Sequence, residues 1–558
     1  MAKWLVKIIL AGAVVFPAPH LYADAVQQEF QLNSKYLNFP VKNGAPKKWV
    51  SLSIDGEKVR EFDIELSPDE PDFWVYLEVG EFSGKTGLLR VEGVEESETS
   101  ILQAIHQGDS FPGEDEAYKE GLRPQFHFTS KRGWNNDPNG MVYYDGEYHL
   151  FYQHNPFGWK WGNMTWGHAV SKDLIHWKEL GDAIHPDRLG TIFSGSAAVD
   201  ENNSTGLQEG DEKVLIAAYT SAGGNGPWSE GQPFTQSIAY SNDRGRTWTK
   251  YEENPVQGHL SGSNRDPKIF WHDPIGKWVI VLYLDENVIG VFNSVDLKTW
   301  EKTGELKSFH ECPELFELPV DGNKSDKKWV LYGGSGDYMV GDFDGREFHP
   351  ETEAIKFSYG NCFYASQTFN NIPEEDGRRI QIGWGRGDIP GMPFNQMMNF
   401  PTVLTLHSTE EGPRVFVHPV EEISKIRGVT QHDGVMLNDS TTDLESFEEP
   451  LLDIELVAEI ESAKEVGLAI GSAELVYDTI QKKIRFKDQE APLDAIDGKI
   501  ELRILIDRTS VEIYANGGRV YMPVHHIPQD KDYRLSLFTR GGSAHLETAV
   551  GELKSIWN

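Results

Sequence analysis

Apolar and polar residues alternate with a period of two along most of this chain, in short runs separated by Gly, Pro, Asn and Asp, which is the pattern of half-buried strands joined by turns. Residues 35–41 and 51–66 show it first, and the Asp55-Gly56 pair within the second run suits a two-residue hairpin turn. A small β-sandwich is expected over residues 26–118. The stretch from Gln107 to Gly121 crowds Gly, Asp, Glu and Pro together as a linker does, so a second domain is expected to begin near Arg123. From about Phe416 the alternation returns, as in Arg503–Asp507 and in Ser510–Tyr514 ahead of the Asn516-Gly517 turn, and predicts a second sandwich. No stretch carries the long 3.6-residue period of an amphipathic helix, so the chain is expected to be all-β.

The middle of the chain repeats. Ser171-Lys172-Asp173-Leu174-Ile175-His176-Trp177 recurs as Ser241-Asn242-Asp243-Arg244-Gly245-Arg246-Thr247-Trp248 and as Ser294-Val295-Asp296-Leu297-Lys298-Thr299-Trp300. A degenerate copy, Gly341–Phe348, keeps the turn residues. Ahead of each tail lies a hairpin-like pair of apolar runs: Met141–Gln153, Ala197–Thr220, Ile269–Leu284 and Leu315–Tyr332, with a fifth at Gln367–Trp384. Five strand-rich units of about 45–70 residues are what a five-bladed β-propeller produces, each blade a four-stranded sheet.

Composition narrows the function. At 558 residues the chain is long enough for two to four domains, and its two cysteines, Cys312 and Cys362, cannot staple them, so burial must hold the fold. Whether they pair is open at this point. Fifty-two Lys and Arg against 87 Asp and Glu leave a net charge of -35, which repels nucleic acid and anionic membranes. No CxxC or HExxH pattern appears, so neither metal nor cofactor is expected, and no interior run approaches the ~18 apolar residues of a membrane span. At the amino terminus, Lys3 and Lys7 precede the apolar run Ile8–Phe16, and Ala23 and Ala25 complete an A-x-A pattern. Residues 1–25 therefore read as a cleavable secretory signal with no cysteine for a lipid anchor, and the product is expected to be secreted or periplasmic. Nothing in the pattern speaks to oligomeric state.

Candidate chemistry lies at the start of each repeated hairpin: Asn136-Asp137-Pro138, Ser194-Gly195-Ser196, Arg265-Asp266-Pro267, Glu311-Cys312-Pro313 and Tyr364-Ala365-Ser366. If the units are blades, these five motifs face one another around the axis. One Asp-Pro is explained by turn chemistry alone. Three converging acids, Asp137, Asp266 and Glu311, with Arg265 and the tryptophans Trp134, Trp161 and Trp166 around them, are not, because clustered carboxylates disturb each other's ionisation. Paired carboxylates with amide and aromatic neighbours are the equipment of glycoside hydrolysis.

Trp134-Asn135-Asn136-Asp137-Pro138-Asn139-Gly140, Arg265-Asp266-Pro267 and Glu311-Cys312-Pro313, in that order, resemble the signature motifs of glycoside hydrolase family 32, the fructan hydrolases and invertases. Phe151–Pro156, Trp161–His168 and Phe193–Ser196 support the match, which runs from about Arg123 to the end; the amino-terminal region resembles an extra sandwich of some bacterial members. The resemblance implies a five-bladed β-propeller catalytic domain (119–415) and a C-terminal β-sandwich (416–558), which with the signal (1–25) and the N-terminal β-sandwich (26–118) read from the pattern make an all-β chain. It implies a fructan or fructo-oligosaccharide substrate and an exo-acting retaining β-fructofuranosidase, with a fructosyltransferase or a non-catalytic fructan-binding protein as alternatives. Asp137 would be the nucleophile, Glu311 the general acid and base, and Asp266 with Arg265 would hold fructose hydroxyls. Trp134, Asn136, Gln153, Trp161, Phe193, Ser194 and Trp384 would line the pocket. Nearby carboxylates are expected to raise the proton affinity of Glu311. Ser358 and Cys362 stand where many members carry Asp, and residues 391–398 look more like bacterial fructan hydrolases than sucrose-specific enzymes.

Overall fold

The computed structural model describes residues 25–67, 69–94, 101–447, 449–528 and 533–557; the expected signal, residues 1–25, lies outside them but for Ala25. Nearly every regular element is a strand. Among the described residues, the α-helical structure is a single turn, Ile101–Ala104. No helix there is long and apolar enough to cross a membrane.

The amino-terminal strands form two facing sheets. Val26–Gln31, Thr86–Glu92, Lys48–Ile54 and Glu57–Ile64 make one, and Phe73–Glu78, Tyr36–Val41 and His106–Gly108 the other. The Asp55-Gly56 turn forms as its residues demand, with both φ positive at 54° and 85°. The inward residues of the alternating strands, among them Leu37, Phe39, Val50, Leu52, Phe62 and Val75, share one core, and Phe157 of the central domain is inserted into it.

Five sheet units follow, and in each the predicted hairpin supplies the first two strands. The first unit runs through Gly133–Tyr144, Glu147–Asn155, Thr165–Ser171 and Trp177–Ile184. The second begins at Thr191–Asp200, the third at Arg265–His272, the fourth at Glu314–Val320 and the fifth at Tyr364–Thr368. A single bridge, Val320 to Leu406, joins the fourth and fifth into one nine-stranded sheet. The last strand of the fifth, Gly412–Pro419, runs past the boundary expected at 415. The ring closes where Phe394-Asn395 pairs in parallel with Gly133-Trp134.

The repeated tail is the turn between the third and fourth strands. Asp173 accepts the amides of Ile175 and His176 through Oδ1, and Asp296 does the same for Lys298 and Thr299. Leu174 and Leu297 take φ near +60°, and the indole of Trp177 donates to the Leu174 carbonyl. A side-chain oxygen that satisfies two backbone amides explains why Asp is kept at this position of the repeat.

The carboxy-terminal domain packs two six-stranded sheets face to face around Leu452, Ile454, Leu468, Ile504, Ile513 and Leu535. Its Leu505, Tyr514, Tyr521 and Leu553 belong instead to the core of the neighbouring blades. Both cysteines are buried free thiols, which closes the question of pairing.

Candidate active site

Each first strand of a blade enters at the same end of the ring, so the five entry motifs meet there. A bulge between Asn135 and Pro138 breaks the ladder of the first strand at Asp137, and a second between Arg265 and Lys268 does so at Asp266, whose φ is 63°. Glu311 and Cys312 also have positive φ, 36° and 46°. Positive φ is costly for residues with a Cβ, and its occurrence at two of the three acids, with the bulge at the third, turns their side chains out of the sheets toward the axis.

A cavity of about 450 Å³ opens among them, a size suited to a small ligand or the end of a chain. Asn136, Asp137, Gln153, Trp161, Phe193, Ser194, Arg265, Asp266, Glu311 and Trp384 line it, ten of the eleven residues expected from sequence. Trp134 is the exception. It stands behind the wall, its indole donating to Asn136 Oδ1 at 2.8 Å and its ring edge-on to Trp384, centroids 6.0 Å apart. Phe234, Ser263 and Tyr364 also line the cavity and were not among the expected residues. Ser358 and Cys362, the two departures from the family pattern, face the carboxy-terminal sandwich at Tyr521 and Pro523.

The acids are held differently. Asp137 accepts Ser194 Oγ at 2.5 Å on Oδ2 and Asn136 Nδ2 at 2.9 Å on Oδ1, so its orientation is set from both sides. Asp266 Oδ2 accepts the Cys312 amide at 3.0 Å and lies 3.7 Å from Arg265 Nε. The Cys312 thiol reaches both, at 3.7 Å from Asp137 and 3.5 Å from Asp266. Glu311 receives the Arg265 fork on Oε2 at 2.7 and 3.1 Å and the Tyr364 hydroxyl on Oε1 at 2.8 Å. Ser263 anchors the remaining guanidinium nitrogen with its carbonyl and its hydroxyl, both at 2.8 Å.

Ionisation follows from that wiring. Burial, with Glu311 nearby, raises Asp137 despite the hydrogen bonds from Ser194 and Asn136. Burial raises Asp266 further, to about 7, with Glu311 and Asp137 adding to the effect and Arg265 opposing it. Burial also works upward on Glu311, but the hydrogen bonds and charge of Arg265 and the Tyr364 hydroxyl outweigh it, so Glu311 lies below the ordinary glutamate value. This reverses the expectation that neighbouring carboxylates raise Glu311. The fork of Arg265 is aimed at Glu311, not evenly at the cluster, and a charge-assisted fork outweighs like-charge repulsion at greater distance. The aspartates are thus shifted upward by burial while Glu311 is shifted downward by its donors.

Above the acids the walls are aromatic. Trp161, Phe193 and Phe234 form an edge-to-face row with centroids 5.9 and 5.5 Å apart, and Trp161 is 49 % exposed at the rim. Trp384 is fixed by Gln396, whose Oε1 accepts its indole at 3.2 Å. Neutral sugars need this pairing of polar floor and aromatic wall, because hydroxyls ring their edges while their faces are apolar.

Comparison with known proteins agrees with this geometry. Residues 127–419 match the glycosyl hydrolases family 32 N-terminal domain, and residues 422–552 match the glycosyl hydrolases family 32 C terminal. The chain belongs to glycosyl hydrolase family 32. It is 39 % identical over 492 residues to a levanase of Bacillus subtilis (strain 168), covering 79 % of this chain and 72 % of the relative. It is 31 % identical over 523 residues to the extracellular exo-inulinase inuE of Aspergillus ficuum, covering 79 % and 96 %. The crystal structure of exo-inulinase from Aspergillus awamori superposes with a TM-score of 0.72 at 29 % identity, over 79 % of this chain and all of that one. The family-32 chain is thus a glycoside hydrolase with a propeller catalytic domain and a carboxy-terminal β-sandwich.

Proposed function

We propose that the protein is an exo-acting β-fructofuranosidase that removes terminal fructose from fructans, β-2,6-linked levan or β-2,1-linked inulin, and also from sucrose, with net retention, and that it works outside the cytoplasm. The observation that carries the reading is the division of labour among the acids: one oriented on both oxygens, one raised to about 7, and one held by an arginine fork at the floor of an aromatic-walled cavity. The names of the relatives, levanase and exo-inulinase, support the substrate class.

Asp137 attacks the anomeric carbon. Its two hydrogen-bond donors keep an oxygen aimed there, and its charge stabilises the oxocarbenium-like state before the bond forms. Asp266 and Arg265 bind the hydroxyls of the terminal fructose. As those hydroxyls take up donors of the guanidinium and the sugar excludes water, the hydrogen bonds that lower Glu311 weaken and its proton affinity rises. Glu311 then protonates the leaving oxygen, and in the second half-reaction takes a proton from the water that releases fructose.

Release of fructose from levan, inulin and sucrose measured in parallel tests the reading and ranks the linkages. Free fructose as the first product supports it. Oligofructans appearing ahead of fructose at high sucrose would make the protein a transferase, and no turnover with any of the three would overturn the assignment.

A further inference from the structure

The amino-terminal sandwich is wired into the substrate cavity. Three consecutive residues on its strand Glu57–Ile64 each reach a cavity loop. Glu61 accepts the Trp228 amide on Oε1 at 2.7 Å, pinning the loop that leads into Phe234. Phe62 stacks on Phe157 with centroids 3.6 Å apart and an 11° interplanar angle. The Asp63 amide donates to Asn163 Oδ1 at 2.9 Å, and Asn163 Nδ2 donates back to the Asp63 carbonyl at 2.8 Å. Phe157 and Asn163 bracket the loop that carries Trp161. The Trp161–Phe193–Phe234 wall is therefore fastened at both ends to one strand outside the propeller.

The attachment is built for rigidity. Only 8 % of the Glu61 side chain is exposed, and Lys58 closes its second oxygen while standing over the Trp228 ring at 5.5 Å. Trp49 of the neighbouring strand packs against the same loop, 3.4 Å from where a Cβ on Gly226 would lie. On the first blade, Arg132 donates to the Tyr76 carbonyl at 3.0 Å and lies over its ring, a further tie between the sandwich and the propeller.

We infer that the strand Glu57–Ile64 makes the amino-terminal sandwich a specificity element of the cavity, holding the aromatic wall where a fructan chain lies behind its terminal residue. The inference rests on the proposed function. The terminal sugar sits on the buried acids, where Asp266 is 5 % exposed, whereas Trp161 at 49 % meets what projects toward solvent. A wall displaced by about 1 Å weakens contacts with the chain while leaving the acids in place.

The test compares fructose release from sucrose and from a long-chain levan or inulin. The variants are Glu61→Ala, Asn163→Gly, which tolerates the local φ of 46°, and the pair together. KM for the polymer is expected to rise about tenfold in the double variant while kcat/KM for sucrose stays within about twofold. Glu61→Gln, which keeps the acceptor, is expected to restore polymer KM. Equal losses on both substrates, no change on the polymer, or failure of Glu61→Gln to restore where Glu61→Ala impairs would overturn the inference. A wild-type protein that releases fructose from neither would remove the proposed function itself.

Discussion

Two clusters of buried carboxylates in this molecule have opposite electrostatics. At the seam between the propeller and the carboxy-terminal sandwich, Asp507 accepts the amides of Gln125 and Phe126 and the Nδ1 of His127 at 2.8 Å. Glu512 accepts His127 Nε2, Asn399 Nδ2, the Phe400 amide and the hydroxyls of Tyr514 and Tyr521. Although burial works against every charge there, the donors win: both acids are lowered and His127 is raised to about 9. At the cavity, the one guanidinium, Arg265, forks onto Glu311 and lies 3.7 Å from Asp266, and Asp137 and Asp266 are raised. Burial is common to both places. What separates a structural knot from a reactive site is whether donors are supplied in proportion to the acids, because underpaired carboxylates keep a proton available to move.

Substitutions should separate the two clusters. Asp137→Ala or Glu311→Ala is expected to lower fructose release by at least about a thousandfold, Asp137→Ala without lowering the melting temperature; near-wild-type rates would break the assignment of roles. Asp266→Asn should cost at least about a hundredfold in kcat/KM and leave Tm equal or higher, since it removes an uncompensated buried charge. His127→Ala should act the other way: stripped of the charge between Asp507 and Glu512, the seam loses about 3–5 kcal/mol, read as a lower Tm, while kcat of the protein that stays folded is preserved.

The pH dependence of stability sharpens the contrast. The folded value of His127, about 9, exceeds its ordinary 6.5, so its contribution is complete below pH 6.5 and is lost as pH rises through 9. Asp507 and Glu512 are lowered, so theirs is complete above the ordinary carboxylate range and is lost as pH falls through the depressed values. Asp266 is raised from 3.8 to about 7, so its stabilising effect is present below 3.8 and lost as pH rises to 7. Thermal melts across pH should lose their alkaline slope in His127→Ala and the slope between pH 4 and 7 in Asp266→Asn. The smallest effect expected is that of Tyr364→Phe. Removing a hydroxyl that lowers Glu311 should move the alkaline limb of the kcat/KM profile to higher pH, with a rate loss of about tenfold or less.

Much of this was legible in the chain before its structure. Five hairpins with like entry motifs predicted both the blades and the convergence of Asp137, Asp266 and Glu311, because the repeat itself says which residues face the axis. Tyr364 stood in the fifth of those motifs and only its role was missed. Phe234 was not legible: it opens the third strand of its blade, where no other blade places a cavity residue. Nor was the low proton affinity of Glu311, since adjacency in sequence pairs Arg265 with Asp266 while the folded fork points at Glu311. Glu61, Phe62 and Asp63 look like any half-buried alternating strand, and their reach to Trp228, Phe157 and Asn163 across about a hundred residues or more exists only in the fold.

The central claim is that Asp137 forms a covalent fructosyl intermediate which water, activated by Glu311, resolves with retention. Proton NMR of the first fructose released from levan, recorded before mutarotation, tests it directly. The account predicts β-fructofuranose as the initial product; α-fructofuranose appearing first would contradict it.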